Sequence, residues 1–494
     1  MIDPFELRNE LERLTHARES EPIANCIYDS EKLVQLVPHN PDVQFEHAAT
    51  LEQANDFLNA LKHIENALAL NPRNSSYLIK SSAIYTQLGN TDRAIARAKD
   101  ALDVGDNQRF AFQALTNAFE AAGSHEQTQA AAEEWKKDGS APVGYLAMLE
   151  TRSFNSQKKY SQAIDSARRG LSEMEPVSKD TNNIARTYFQ LAKSYDRLGE
   201  FDNAWEAVQK AHAVGNTEKY PIQGHIKTYE DVQNFMSSEI LDILPRADID
   251  TQESIFVVGS PRSGTSLLEQ IMSMHPEIKN GGEMSSGSLI QSQLPFATDS
   301  LLSWPQNCLD LDIETVNSFA EAYKASEESA RNGARYVSNK ALNLDYLIGL
   351  LSVIVPNSKA IMLHRHPLDT CISCHMTDLL LAGHLYTSTF KDLAEVWISR
   401  EKARQFWSTN LSIPVMQLSY DQLVANQEAE SKRLIGFLDL PWEEKCLSFH
   451  TSKNRARTIS HDQVNQKMYS SSSGRWKNYE KHIGPLIDAL ADYL

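Results

Sequence analysis

The chain has 494 residues, 41% hydrophobic and 23% charged, with 20 Gly and 18 Pro. That composition excludes collagen-like and disordered architectures and supplies apolar material for roughly two to four domains. With 48 Lys plus Arg against 65 Asp plus Glu, a formal charge of −17, general affinity for nucleic acid or an anionic membrane is excluded too, so any bound anion must be held by a local site. The five cysteines are odd in number and sparse, which is not a disulfide framework. The amino-terminal MIDPFELRNELERLTHARES has no continuous apolar run, and nothing elsewhere reaches the roughly 20 apolar residues that span a bilayer. A cytoplasmic protein with neither a nucleic-acid nor a membrane partner is expected.

Residues 1–42 are expected to form an N-terminal helical cap. From Val43 to about Val214 the chain is rich in Ala, Leu, Gln and charged residues, poor in Gly, and repetitive. Tyr85-x-x-Leu88-Gly89-x-x-x-x-Ala94 returns 34 residues later as Phe119-x-x-Ala122-Gly123-x-x-x-x-Thr128, and again as Tyr195-x-x-Leu198-Gly199-x-Phe201-x-x-Ala204. Weaker units are KKYSQAIDSARRGL, where Lys158 takes the glycine slot, and ANDFLNALKHIENALALNPRN. Small residues where two helices cross, at this period, resemble the tetratricopeptide repeat over four to five units. Each unit would be a helix pair burying its neighbour's open face. A generic helical bundle is the other reading of the same pattern. Either way the region offers a helical surface for a protein or peptide partner and nothing that looks catalytic.

Residues 215–250 break the period and read as a connector with one helix in its middle. Across 251–494 the pattern changes. Ile255-Phe-Val-Val258 is a short buried-strand run, ended by Gly259-Ser-Pro-Arg-Ser-Gly264 and followed by the helical spacing of Leu267, Leu268, Ile271 and Met272. Ala360–Leu363 and Val415–Leu418 are two more such runs. Strand, glycine-bounded loop and helix in this order predict a P-loop-like α/β domain with a mostly parallel sheet.

The loop has the spacing G-x-x-x-x-G-x-[ST], with Thr265 where a nucleotide-binding loop has lysine. Its backbone amides and helix dipole favour an anion. The missing lysine argues against a nucleoside-triphosphate kinase or hydrolase, and Arg262 is the available cation. PRSGTSLLEQIMSMHP resembles the 5'-phosphosulfate loop of sulfotransferases that use 3'-phosphoadenylyl sulfate (PAPS). The likeness is to the tyrosylprotein sulfotransferases and to bacterial proteins fusing tetratricopeptide repeats to such a domain. It runs from about residue 252 to 480.

What the resemblance implies can be placed residue by residue. Arg262, Ser263, Gly264, Thr265 and Ser266 would cradle the 5'-phosphosulfate. Arg365, with Ser373 eight residues on, would hold the 3'-phosphate, a site that ATP has no group to fill. Chemistry supports that pair independently, because a strand-end arginine and a serine one turn into the next helix donate several charge-assisted hydrogen bonds. Tyr420 matches an adenine-contacting tyrosine and Arg475 a cofactor-proximal basic residue. Glu283, 21 residues beyond Arg262, would be the catalytic base. Lys340, 25 residues before Arg365, would stabilise the leaving group, and Ser460 would be a second stabilising residue. No metal is expected, since the transferred sulfuryl group carries less charge than a phosphoryl group. Thr377 stands where the family carries a second 3'-phosphate arginine.

The implied activity is sulfuryl transfer to a hydroxyl, most plainly a tyrosine-type phenol of a protein or peptide. A small-molecule, lipid or glycan hydroxyl, and a repeat-based binding protein with a degenerate transferase domain, stay open. Cys371-Ile-Ser-Cys374-His375 spells a haem-attachment string but overlaps Ser373 in the expected phosphate-binding helix, so it is set aside.

Overall fold

The computed structural model describes residues 3–21, 23–174, 180–216, 218–251, 253–451 and 472–494. The chain divides into two compact units, 1–199 and 200–494.

The first unit is all helix: α1 (Pro4–Ser20), α2 (Ile23–Leu36), α3 (Pro41–Gln53), α4 (Phe57–Leu70), α5 (Ser75–Leu88), α6 (Thr91–Val104), α7 (Gln108–Ala121), α8 (His125–Asp138), α9 (Val143–Ser156), α10 (Tyr160–Met174) and α11 (Thr181–Arg197). Fourteen-residue helices joined by short turns give the repeat its period. Alanines at the crossings, Ala60, Ala94, Ala98, Ala163 and Ala167, are fully buried, which lets paired helices approach closely. Gly170 shows how closely: a Cβ there would lie 2.2 Å from that of Ala147. Asn40, Asp56, Asn74, Asn90 and Asp180 cap the helices after them through side-chain oxygens, satisfying amides that the first turn leaves unpaired.

One backbone position recurs between paired helices in the left-handed region: Asn55 (φ 60°), Gly89 (70°), Gly123 (69°) and Lys158 (60°), and Gly199 after α11 shares it (79°). Glycine adopts it freely, whereas a Cβ crowds the following carbonyl. Lys158 is exposed and has no packing that requires its side chain. Lys158→Gly is therefore expected to stabilise the repeat unit by about 1 kcal/mol, read as a rise in its thermal transition; no change or a fall would mean that the lysine is unstrained.

The second unit opens with α12 (Phe201–Gly215), α13 (Ile222–Phe235) and α14 (Ser238–Ile243). The stretch expected to hold one helix thus holds two, and Tyr229, Val232, Met236 and Leu241 from them enter the core of this unit. There follow β1 (Glu253–Val258), α15 (Thr265–Met272), β2 (Ile278–Asn280), α16 (Ser286–Ala297), α17 (Ile313–Arg331), β3 (Tyr336–Asn339), α18 (Leu344–Ile354), β4 (Lys359–His364), α19 (Pro367–His375), α20 (Phe390–Asn410), β5 (Val415–Ser419), α21 (Tyr420–Ala425) and α22 (Gln427–Phe437).

The five strands form one sheet in the order β2-β3-β1-β4-β5, and each neighbouring pair is parallel. Both faces are covered, as parallel sheets require. Ile255 and Val257 point into a core with α15, while Phe256 and Val258 point into another with α18. From β1 the chain goes to one side for β2 and β3 and to the other for β4 and β5. The carboxyl ends of β1 and β4 therefore flank the switch point where α/β sheets bind ligands. No helix among the described residues is long and apolar enough to cross a membrane.

Candidate active site

Every strand of the sheet delivers one of the expected residues just past its carboxyl end. β1 leads to Arg262 in the glycine-bounded loop, β2 to Glu283, β3 to Lys340, β4 to Arg365 and β5 to Tyr420. Parallel pairing puts all five ends on one edge.

The loop after β1 turns through Arg262 (φ 66°) and Gly264 (φ 107°), and Gly264 caps α15. Thr265 and Ser266 open that helix and are buried. Arg262 Nε donates to Ser373 Oγ at 3.0 Å, and an Arg365 guanidinium nitrogen donates to the Arg262 carbonyl at 2.9 Å. The two groups of residues expected to hold the two phosphates are thus side by side. Ser373 lies in the last turn of α19, deeper into its helix than the one turn expected. Thr377 donates to the Ser373 carbonyl at 2.7 Å, so its hydroxyl is used within the backbone of its own segment.

Tyr420 packs its ring edge against Gly264, where a Cβ would sit 2.3 Å from Cδ2. The Arg365 guanidinium lies 4.6 Å above the centre of the same ring, a cation–π contact. The Tyr420 hydroxyl meets Ser472 Oγ at 2.8 Å. The carboxyl-terminal segment closes this side: Arg365 also donates to the Ser472 carbonyl, and Arg475 opens a 3-10 turn, Arg475–His482. Ser460 lies outside the described residues.

Ser263 Oγ and Arg365 Nε are buried donors that make no hydrogen bond among the described residues. Both residues line a pocket beside the carboxyl ends of β1 and β4, walled on its other side by Trp397, Arg400 and Arg404 of α20. Buried donors without acceptors are costly. Two at a helix-capped loop beside an arginine are what a phosphate or sulfate would satisfy, so these residues fit the phosphate and sulfate groups of PAPS.

On the other side of β1, the Lys340 ammonium donates to Glu283 Oε1 at 2.8 Å. The register makes this pair: Asn280 of β2 is opposite Ser338 of β3, Gly281 N–H continues the ladder to the Ser338 carbonyl at 2.8 Å, and Lys340 N–H donates to the Gly282 carbonyl at 2.8 Å. The Lys340 side chain is 2% exposed and that of Glu283 50%. The cation is inside, and the carboxylate is at the mouth.

Three carboxylates that motif reasoning passed over hold the site together. Asp369 of α19 accepts from Gly474 N–H at 2.7 Å and Trp476 N–H at 2.9 Å, fixing the segment that carries Arg475. Asp421 accepts from His366 N–H at 3.1 Å and from the Ser473 hydroxyl. Glu269, buried on α15, accepts from Gly282 N–H at 3.1 Å and Ser338 Oγ at 2.9 Å. Burial pushes its carboxyl above the usual range, and the Lys340 charge opposes that. A lone acid in the apolar run TSLLEQIM was the available signal.

Residues 254–444 match the Sulfotransferase family model, and residues 185–211 match a Tetratricopeptide repeat model. The chain therefore combines tetratricopeptide repeats with a domain of the sulfotransferase family. An uncharacterised protein of Aquifex aeolicus (strain VF5) is 26% identical over 363 residues, 71% of this chain and 46% of that protein. The protein-tyrosine sulfotransferase of Drosophila melanogaster is 24% identical over 241 residues, 45% of this chain and 46% of that protein. The chain thus spans about half the length of these two relatives. Among solved structures, the sulfotransferase domain from the curacin biosynthetic pathway aligns with a TM-score of 0.33 at 17% identity, covering 49% of this chain and 97% of that domain.

Gly264→Ala would drive a methyl group into the Tyr420 ring from a left-handed backbone. A loss of about 2 kcal/mol is expected, seen as a lower thermal midpoint for the second unit; an unchanged midpoint would mean that the ring moves aside without cost.

Proposed function

We propose that the protein transfers a sulfuryl group from PAPS to a hydroxyl acceptor, a tyrosine-type phenol presented by a protein or peptide. The observation that carries this reading is the Lys340–Glu283 pair, cation buried and carboxylate exposed, on the sheet edge that also holds the anion loop. A donor lying on the loop puts its leaving group inside, and an acceptor arriving from solvent meets the carboxylate.

In this reading the 5'-phosphosulfate lies on Arg262, Ser263, Gly264, Thr265 and Ser266. Arg365, Ser373 and Arg475 take the 3'-phosphate, and Tyr420, its ring fixed between Gly264 and Arg365, borders the adenine. The acceptor oxygen forms a bond to sulfur as the bond from sulfur to the oxygen bridging to the 5'-phosphate breaks. Glu283 takes the acceptor proton, and Lys340, leaving Glu283, places its positive charge on that bridging oxygen. Ser460 is assigned to the same developing charge. Both reacting groups are held in line by strand ends, so positioning supplies much of the rate. The acceptor is read as tyrosine because of the named Drosophila relative and the exposed carboxylate, which a phenol on a peptide can reach. The repeats are assigned to a protein or peptide partner. The five cysteines are all buried free thiols, which suits a reducing compartment such as the cytoplasm.

Calorimetric titration with PAP, the desulfonated donor, tests the reading. Wild type is expected to bind at micromolar concentration, and Arg365→Ala to bind about 2 kcal/mol more weakly, the scale of one lost charge-assisted contact. Absence of binding by wild type at millimolar PAP would overturn the donor assignment.

Glu283→Ala is expected to cut transfer to a tyrosine peptide by roughly 100- to 10,000-fold while PAP affinity stays within about twofold. Wild-type turnover by the variant would remove Glu283 from the mechanism.

A further inference from the structure

The base and the leaving-group cation sit on ends of adjacent strands, and neither strand end is regular. β2 is three residues long and passes directly into Gly281 and Gly282, the latter at φ 72°. Such a turn has little of its own to fix the direction of the next side chain. Gly281 is pressed against β3, where a Cβ would lie 2.5 Å from the Ser338 carbonyl, and Gly282 N–H points the other way, to Glu269 Oε1 at 3.1 Å. The same oxygen takes the Ser338 hydroxyl at 2.9 Å. Glu269 is 4% exposed and stands on α15, the helix whose first turn belongs to the anion loop. One buried carboxylate therefore joins three pieces: the helix under the anion loop, the turn before Glu283 and the strand before Lys340.

Its charge also has a use. Lys340 is buried, and its ammonium bonds Glu283. When Glu283 takes a proton it becomes neutral and ceases to balance that ammonium, and a buried cation without a counter-charge is costly. The Lys340 charge acts on the Glu269 carboxyl against the effect of its burial, so the two groups are electrostatically linked.

Resting on the sulfotransferase reading above, we propose that Glu269 is the positioning residue of the reacting pair, aiming Glu283 through the Gly282 amide and balancing Lys340 while Glu283 accepts the proton. It touches neither donor nor acceptor.

Glu269→Ala removes both the acceptor oxygen and the charge; Glu269→Gln keeps an acceptor oxygen and removes the charge. In the full-length protein, with PAPS and a single-tyrosine peptide, Glu269→Ala is expected to lower kcat roughly 100-fold with the Kd for PAP within about twofold. Glu269→Gln is expected to recover about tenfold of that loss, having regained the geometry alone. Because Glu269 aims Glu283, adding Glu269→Ala to Glu283→Gln is expected to cost about tenfold more, the share of the charge alone, rather than roughly 100-fold. Amide hydrogen exchange at Gly282 and Glu283 is expected to quicken in Glu269→Ala and to stay near wild type in Glu269→Gln. Losses that multiply in full with Glu283→Gln, an unchanged kcat in Glu269→Ala, or exchange at Gly282 that does not respond would overturn the inference. The exchange arm decides the positioning claim even where the peptide is not sulfated, and wild-type failure to bind PAP would instead overturn the donor reading beneath it.

Discussion

Parallel pairing of five short strands is the constraint on which the rest of this domain depends. A parallel sheet collects the carboxyl ends of all its strands on one edge, and its crossover helices leave that edge open only where the winding changes side. Here that point lies between β1 and β4, with the anion loop on one strand end and Arg365 on the other. Residues as far apart as Arg262 and Tyr420 become neighbours without any local sequence signal linking them. Had one strand run antiparallel, its polar residue would have been delivered to the opposite edge.

The sheet brings the residues to one edge, but three carboxylates, Glu269 and Asp369 buried and Asp421 half-buried, set their final positions. Glu269, Asp369 and Asp421 each accept backbone N–H groups from a segment distant in sequence. Taking a carboxylate from water is costly, and a bond to an amide that needs a partner offsets that cost while fixing a loop no regular ladder reaches. The same economy appears behind the site, where Asp345 accepts from Arg400 at 2.7 Å and from the Tyr229 hydroxyl at 2.8 Å, tying α18, α20 and α13 together. The helix α12 is held to the same unit by other contacts: the buried His212 reaches the His375 carbonyl at 2.9 Å, and at the surface Asp202 pairs with Lys481 at 2.7 Å. His375 closes α19, the helix of Ser373, and Lys481 belongs to the turn that Arg475 opens.

Much of this was legible in the sequence, because the relevant signals are local. The repeat period follows from small residues at fixed spacing, and the glycine slot at residues 89 and 123 marks a left-handed turn that holds even where lysine fills it at 158. β1, β4 and β5 are apolar runs between turn signals, so periodicity finds them. β2 and β3 escaped it for a physical reason. Ile278–Asn280 has three residues, and Tyr336–Asn339 includes the fully buried Ser338 and Asn339. Polar residues are tolerated there only because Glu269 and the Tyr323 hydroxyl, far away in the chain, satisfy them. The second helix of residues 215–250 was missed likewise, since it is only six residues long.

By itself the sequence determined the classes of element, the repeat and the anion loop, since each rests on the chemistry of residues within one turn or strand. It also named the residues that the sheet edge gathers, through their resemblance to a family. The tertiary structure alone decided which of them touch: that Arg262 bonds Ser373, that Arg365 stands over Tyr420 against Gly264, and that Lys340 lies inside while Glu283 lies at the mouth. Those contacts depend on strand order and register, which are fixed by packing the whole sheet between its helices and leave no trace in the spacing of any single motif.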